Sequence, residues 1–314
     1  MTQALPQHPV RPSRLAAWGQ LFRLPNLLTV PGDPVAGFLL ASMATGGGVG
    51  LAIIPAAAAS VLLYAAGLVA NDLFDLRIDR RERPGRPLPS GRIRPATAGI
   101  VLAALTSLGV ACAFLAGAAA GAVALALTAA IFLYDGLTKR IRLAAPGAVN
   151  MGLCRGLSLL LGAAAAGGMD SWPVLTSALG LTAYIAVVTW IARGETRPAR
   201  LGAKRFAPVI LLAGWLGFVL VPARTGGRLE LMAQAAAAIP ALCALGWVGW
   251  CGLRLGGRAA PGDIQRAVGG LIGALLPIQA TLCASASPPG LIAAAVLMAA
   301  WPVFAVLSRR FHPS

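Results

Sequence analysis

Ten long apolar runs, each cut off by a short charged break, constrain this chain more than any other feature. A membrane-crossing helix needs about 20 mostly apolar residues. Such runs lie at about 26–44, 49–69, 96–116, 117–134, 143–167, 172–192, 206–222, 231–253, 264–284 and 290–308. Hydrocarbon offers no water to the backbone, so open strands and loops do not cross it and runs of this length read as helices. The first run holds Pro31 and Pro34, tolerated in a membrane helix only where neighbours satisfy the freed carbonyls. Without it nine spans remain. Composition agrees, with 58% of residues in the AVILMFWYC set and 11% charged, against about 25% charged in a soluble domain. The expected fold is an all-α integral membrane bundle of nine or ten transmembrane helices.

The formal charge is +16, which in a soluble protein would point to nucleic acid. Here the arginines crowd the breaks between apolar runs, so they read as topology signals and no nucleic-acid partner is expected. With Arg155 counted on the crowded side, 24 of the 26 basic residues fall there, and only Arg224 and Arg228 lie opposite. The positive-inside rule makes the crowded side cytoplasmic, with both termini there, and that even parity favours ten spans. Residues 1–25, with Pro6, Pro9, Arg11, Pro12 and Arg14, read as a polar cytoplasmic leader without a cleaved signal. Residues 26–310 then form one transmembrane domain. The five cysteines show no CxxC spacing, so neither zinc nor a disulfide framework is expected.

Only ten residues are acidic, and four of them, Asp72, Asp75, Asp79 and Glu82, sit together where the second run ends. In NDLFDLRIDRRERPGRPLPSGRI, residues 71–93, the three aspartates are spaced by three and four, so a continuing helix puts them on one face. Like charges in one stripe repel unless a cation sits over them. Mg²⁺ takes oxygen ligands, keeps several waters and commonly bridges protein carboxylates to a substrate phosphate. Asn71 can add an amide oxygen. The plainer explanation is a solvated helix end neutralised by nearby arginines; position at a membrane boundary, facing other basic loops, argues against it.

At this stretch the chain resembles the UbiA superfamily of intramembrane prenyltransferases. NDLFDLRIDR matches its NDxxDxxxD signature, and RPLPSGRI, residues 86–93, matches the segment that follows. YDGLTKR, residues 134–140, is similar to the family's Tyr-Asp-x-x-x-Lys-Arg after its fourth helix, and RLPN, residues 23–26, to its opening Arg-x-x-Asn. NMGLCRG, residues 150–156, and RGE, residues 193–195, resemble the EboC branch found in bacteria. The resemblance implies a central cavity open laterally to lipid, Mg²⁺, a prenyl diphosphate and a cytoplasmic site in a bacterial inner membrane. It places one acidic motif in the loop 71–94, with Asp72, Asp75 and Asp79 as metal ligands, and a second in the loop 193–205. There the family tends to have two aspartates, whereas this chain offers Glu195 alone, so either a second Mg²⁺ is held more weakly or Arg193, Arg197 and Lys204 carry part of the diphosphate charge.

Ionising an allylic diphosphate builds negative charge on the leaving group, which fixed cations stabilise where it develops. Lys139, Arg140, Arg86 and Arg155 are the cations expected there, with Asn71 beside them and Tyr134 in the motif. A dry apolar cavity keeps water from the carbocation. Asn26 and Asp33 share a face of the first span, and Tyr64 lies seven residues before Asn71; these are acceptor-side candidates, although Asp33 is equally read as a helix cap and Tyr64 as a buried hydroxyl. Asp135 and Lys139 at i, i+4 read as an ion pair that orients the lysine. The expected reaction is transfer of an isoprenyl group to a small aromatic or cyclitol-like acceptor. The alternatives are a terpene cyclase on the same scaffold and a non-catalytic transporter or lipid-binding scaffold. A CDP-alcohol phosphotransferase is set aside because DGLTKR lacks the Ala-Arg of its DGxxAR core.

Overall fold

The computed structural model describes residues 14–141, 143–193, 201–220, 228–256, 259–286 and 288–310. Among them lie ten helices long and apolar enough to cross a membrane. They begin with Leu24–Thr45, split into α2 (Leu24–Leu27) and α3 (Gly32–Thr45) after a short leading helix α1 (Arg14–Leu21). The second is α4 (Ile53–Phe74), continued by the short α5 (Leu76–Glu82); the third and fourth are α6 (Pro95–Ala116) and α7 (Ala118–Gly136), the latter ending in a 3₁₀ turn at Thr138–Arg140. Then come α8 (Ala144–Ala165), α9 (Trp172–Ala192), α10 (Ala207–Val219) and α11 (Arg228–Arg254). The ninth span, Pro261–Ala286, is α12 (Pro261–Gly273) plus α13 (Leu275–Ala286), and α14 (Pro288–Arg310) closes the bundle. Ten spans, an integral membrane fold and the boundaries all agree with the apolar runs to within a few residues.

The chain is inside out by soluble standards. Of an 18-residue apolar stretch within Pro261–Ala286, 83% is buried inside the protein, whereas only 17% of such a stretch within Pro95–Ala116 is. The central α13 therefore packs among other helices, while α6 and α14 expose Ile100, Leu108, Leu115, Ile292 and Val296. So broad an apolar surface is stable only against lipid.

Close approach of helices rests on glycine, because dispersion contacts rather than water exclusion hold helices together in lipid. A Cβ on Gly37 of α3 would lie 2.0 Å from the Leu159 carbonyl oxygen of α8, and one on Gly162 of α8 would lie 1.8 Å from that of Pro34. The α3 and α8 backbones thus touch directly. In the same way Gly152 and Gly156 seat α8 on α9, against the Thr182 backbone and hydroxyl.

Two local departures shape the site. The expected leader contains a helix: Ala17 and Leu21 of α1 are buried with Val69 of α4, Leu88, Ile93 and Ala98, so α1 lies across the loop that follows span two. Its apolar residues are spaced by three and four, a pattern hidden among arginines and prolines. Span two does not run unbroken through its acidic stripe, since α4 ends at Phe74 and Asp75 caps it. Even so, the Asp75 N–H reaches Asn71 O at 3.0 Å and the Asp79 N–H reaches Asp75 O at 2.9 Å. Helical hydrogen bonding thereby carries the stripe into α5.

Candidate active site

The acids do not splay into solvent. Asp72 and Asp79 are buried, and each carboxylate of the stripe meets a cation. Arg86 Nη1 donates to Asp79 Oδ2 at 2.7 Å and lies 3.8 Å from Asp72 Oδ1. On the other flank of Asp72, Arg23 Nη2 is also 3.8 Å from Oδ1. Lys139 Nζ forms a short contact with Asp75 Oδ2, donates to Asn71 Oδ1 at 2.7 Å and stands 3.7 Å from Asp135 Oδ1. Spans one, two and four and the loop after α5 are thereby drawn to one point by charge.

Local folding explains why these side chains meet. Lys139 lies in the 3₁₀ turn after α7, and Asn150 of α8 donates to Thr138 Oγ1 at 3.2 Å, tying that turn to the next span. Asp135, one turn earlier and buried, orients the ammonium as the i, i+4 spacing implies. Arg86 sits in the turn of RPLPSG, held by Arg92 donating to Gly85 O at 2.7 Å and by the Ser90 N–H donating to Arg86 O at 3.0 Å. Arg23 has φ 44°, the left-handed region and the only positive φ of a non-glycine residue among those described. Such backbone costs of order 1–3 kcal/mol and tends to persist where surrounding structure imposes it.

Beside this cluster is a cavity of about 350 Å³ lined by Arg83, Tyr134, Lys139, Gly147, Thr189 and Arg193. Tyr134 presents its ring 6.0 Å from the Lys139 ammonium. The absence of a side chain at Gly147 leaves space near Arg193, whose Nη2 would be 3.5 Å from a Cβ there.

The remaining candidates are placed as follows. Arg155 faces inward and its Nε lies 2.9 Å from Asp33 Oδ2, so its ionic partner is Asp33 of span one. Tyr64 lies against the same guanidinium, 6.0 Å from ring centre to Arg155 Cζ. Asn26 is in α2, three residues from Arg23, with its carbonyl accepting from Thr29 Oγ1 at 2.8 Å. Arg140 is exposed at the end of its turn. Lys204 stacks on Trp190 at 5.5 Å, away from the acids. Glu195 and most of the expected second motif lie outside the described residues. Sequence reasoning passed over Arg23 and Arg83 as ligand-facing cations, although both belong to quoted motifs or basic clusters. It also passed over Gln279, which no motif marks.

Among the described residues no three acidic, histidine or cysteine side chains converge into a metal cage. Mg²⁺ does not need one: it typically uses one or two carboxylates and completes its shell with water and phosphate oxygens. The hard oxygen donors of Asp72, Asp75 and Asn71 fit that use, and their cationic neighbours hold the acids' charge.

The model of the UbiA prenyltransferase family matches residues 34–255. Curated relatives include digeranylgeranylglyceryl phosphate synthases of Methanosarcina mazei, 33% identical over 172 residues (51% of this chain, 59% of that one), and of Ignicoccus hospitalis, 33% identical over 152 residues (48% of each). The chain thus spans between about half and three fifths of the length of these relatives. Among solved structures, a UbiA homologue of Aeropyrum pernix K1 covers 82% of this chain and 96% of its own length with a TM-score of 0.57 at 20% identity. A homologue of Archaeoglobus fulgidus bound to GPP and Mg²⁺ covers 93% and 99%, also at 0.57, with 16% identity. Likeness at that identity establishes the shared fold. The family match covers well over half of the chain and takes in the acidic stripe and the lysine turn: this chain belongs to the UbiA prenyltransferase family.

Proposed function

We propose that the protein transfers an isoprenyl group from a prenyl diphosphate to a small acceptor, in a bacterial cytoplasmic membrane with the acidic site facing the cytoplasm. The observation that carries this reading is the convergence of Lys139, Arg86 and Arg23 on three aspartates beside a cavity lined by the cations Arg83, Lys139 and Arg193. Asp72, Asp75 and Asp79, aided by Asn71, are the residues that would hold Mg²⁺, with Glu195 as the further carboxylate. When bound, the metal supplies positive charge to the diphosphate oxygens.

The chain's own residues do the rest. The bond between the allylic C1 and the diphosphate oxygen breaks, and its electron pair leaves with the diphosphate. Lys139 and Arg86, joined by Arg193, Arg140, Lys204 or Arg155 only where they reach the ligand, are set to stabilise that charge. Tyr134 and the apolar walls exclude water from the allylic cation. An acceptor nucleophile then bonds to C1 and gives up its proton, with Asn26, Asp33 and Tyr64 as the acceptor-side candidates. The likeness to digeranylgeranylglyceryl phosphate synthases favours a glyceryl phosphate-type acceptor beside the aromatic or cyclitol-like class expected from sequence.

The test is incubation of purified protein with Mg²⁺, farnesyl or geranylgeranyl diphosphate and acceptors of these classes. Diphosphate release that requires acceptor and falls sharply in Asp72→Ala supports transfer. A hydrocarbon or terpene alcohol formed without acceptor identifies a cyclase instead. Absence of release with every pair, or release undiminished in Asp72→Ala, overturns the proposal.

A further inference from the structure

Span one is interrupted at residues 28–31, and the interruption leaves an unusual hydrogen-bonding problem inside the membrane. In an unbroken helix the Thr29 carbonyl would receive the N–H of Asp33. That N–H instead goes to Val30 O, at 3.3 Å. An unsatisfied carbonyl at membrane depth costs several kcal/mol, and two side chains from distant spans resolve it. Arg155 of α8 donates through Nη2 to Thr29 O at 2.8 Å, and Gln279 of α13 donates through Nε2 to the same oxygen at 2.7 Å. The same two side chains also share a second acceptor. Gln279 Nε2 donates to Asp33 Oδ1 at 2.6 Å, and Arg155 Nε lies 2.9 Å from Asp33 Oδ2.

The bracket is fully enclosed: Asp33 and Gln279 are 0% exposed and Thr29 1%. It is also sterically provided for, since a Cβ on Gly32 would lie 2.2 Å from Gln279 Oε1. A buried guanidinium, carboxylate and amide are costly in a membrane and tend to mark function. What they hold is the short segment that reaches the acids. From Thr29 the hydroxyl donates to Asn26 O at 2.8 Å, the Asn26 N–H donates to Arg23 O at 2.8 Å, and the Arg23 guanidinium lies 3.8 Å from Asp72. A path of hydrogen bonds closed by one ion pair thus runs from the centre of the bundle to the acidic stripe.

We propose that Arg155 and Gln279 are positioning residues, which clamp the break in span one so that the α2 segment holds Arg23 over the acidic site. Neither need touch the ligand; each acts through Thr29 and Asp33. The segment is one helical turn long and entered through a left-handed residue, so few hydrogen bonds of its own fix it. The ligand-binding arm of the test rests on the function proposed above, and a second arm does not.

The variant to make is Gln279→Met in the full chain, purified in detergent. It keeps side-chain volume and removes both donors, while Thr29 O and Asp33 each retain Arg155, so the bundle has reason to survive. Hydrogen exchange, with no ligand present, is expected to quicken about tenfold at amides 24–30, the loss of one strong hydrogen bond, and to stay unchanged in α9. Binding of Mg²⁺ with farnesyl thiodiphosphate is expected to weaken about tenfold. In an Arg23→Gln background, Gln279→Met should weaken binding no further, because its effect passes through Arg23. Equal weakening in both backgrounds overturns the proposal, as does unchanged exchange at 24–30. If Gln279→Met does not fold, Gln279→Asn takes its place; failure of both to fold makes the residue a requirement of the bundle and likewise overturns it. Wild-type protein that binds no thiodiphosphate would sink the functional reading, while exchange still decides the clamp.

Discussion

Lys139 Nζ lies 2.7 Å from Asn71 Oδ1 although 68 residues separate them. One ammonium therefore ties the end of span two to the turn after span four, and it stands on the wall of the cavity. Lys139→Met should lower turnover by about 10²–10³-fold, the scale for loss of a preorganised charge at a developing anion. Lys139→Arg should recover part of it. Turnover under saturating prenyl diphosphate is the measurement, and a change confined to KM would argue against a role in bond breaking.

Asp72 sits between two guanidiniums, each 3.8 Å from its Oδ1, and is buried. Asp72→Asn keeps the shape and removes the charge. The half-saturating Mg²⁺ concentration should then rise at least about tenfold, since ligand charge sets the affinity of oxygen sites. Chelation of Mg²⁺ from wild-type protein should abolish diphosphate release. A Mg²⁺ dependence identical in wild type and variant would place the metal elsewhere.

Glycine contacts allow a stability test with its own control. A Cβ on Gly162 would lie 1.8 Å from the Pro34 carbonyl oxygen, against backbone that cannot swing aside, whereas one on Gly99 of α6 meets nothing within 4 Å. Gly162→Ala should lower the midpoint of thermal unfolding by several degrees, because overpacking typically costs about 1–3 kcal/mol. Gly99→Ala should leave it unchanged or raise it, alanine being favoured in helices by up to about 1 kcal/mol. Thermal aggregation in detergent reads both.

The spans and the acidic stripe were legible in the sequence because each is local. Twenty apolar residues announce a crossing by themselves, and NDLFDLRID carries its spacing within nine residues. The ion pair of Asp135 and Lys139 was readable for the same reason. Arg155 shows where locality ends: a guanidinium inside a span is costly without a partner, but that partner, Asp33, lies in another span, and its own sequence position suggests a cap or an acceptor contact. Gln279 is harder still. It reaches Thr29 and Asp33 across 250 and 246 residues, and an isolated glutamine in an apolar run announces nothing. Arg23 is visible only as a member of a motif, since nothing in the sequence marks the left-handed backbone that it takes between α1 and α2.

Arg86 and Asp79 separate folding from ligand binding. Asp79 is buried, and Arg86 Nη1 meets its Oδ2 at 2.7 Å. Arg86→Gln removes the charge opposite a buried carboxylate, which should destabilise the protein by roughly 1–3 kcal/mol. Adding Asp79→Asn removes the stranded carboxylate as well, so the double variant should regain most of the lost thermal stability. It should not regain affinity for prenyl diphosphate, because the cation that would meet the leaving group and one carboxylate that would hold Mg²⁺ are both missing. The expected pattern is a depressed then recovered unfolding midpoint with KM for prenyl diphosphate raised about tenfold or more in both variants. If KM recovered together with stability, neither Arg86 nor Asp79 would serve the ligand, and the diphosphate charge would have to fall to Lys139 and the arginines at 23, 83 and 193.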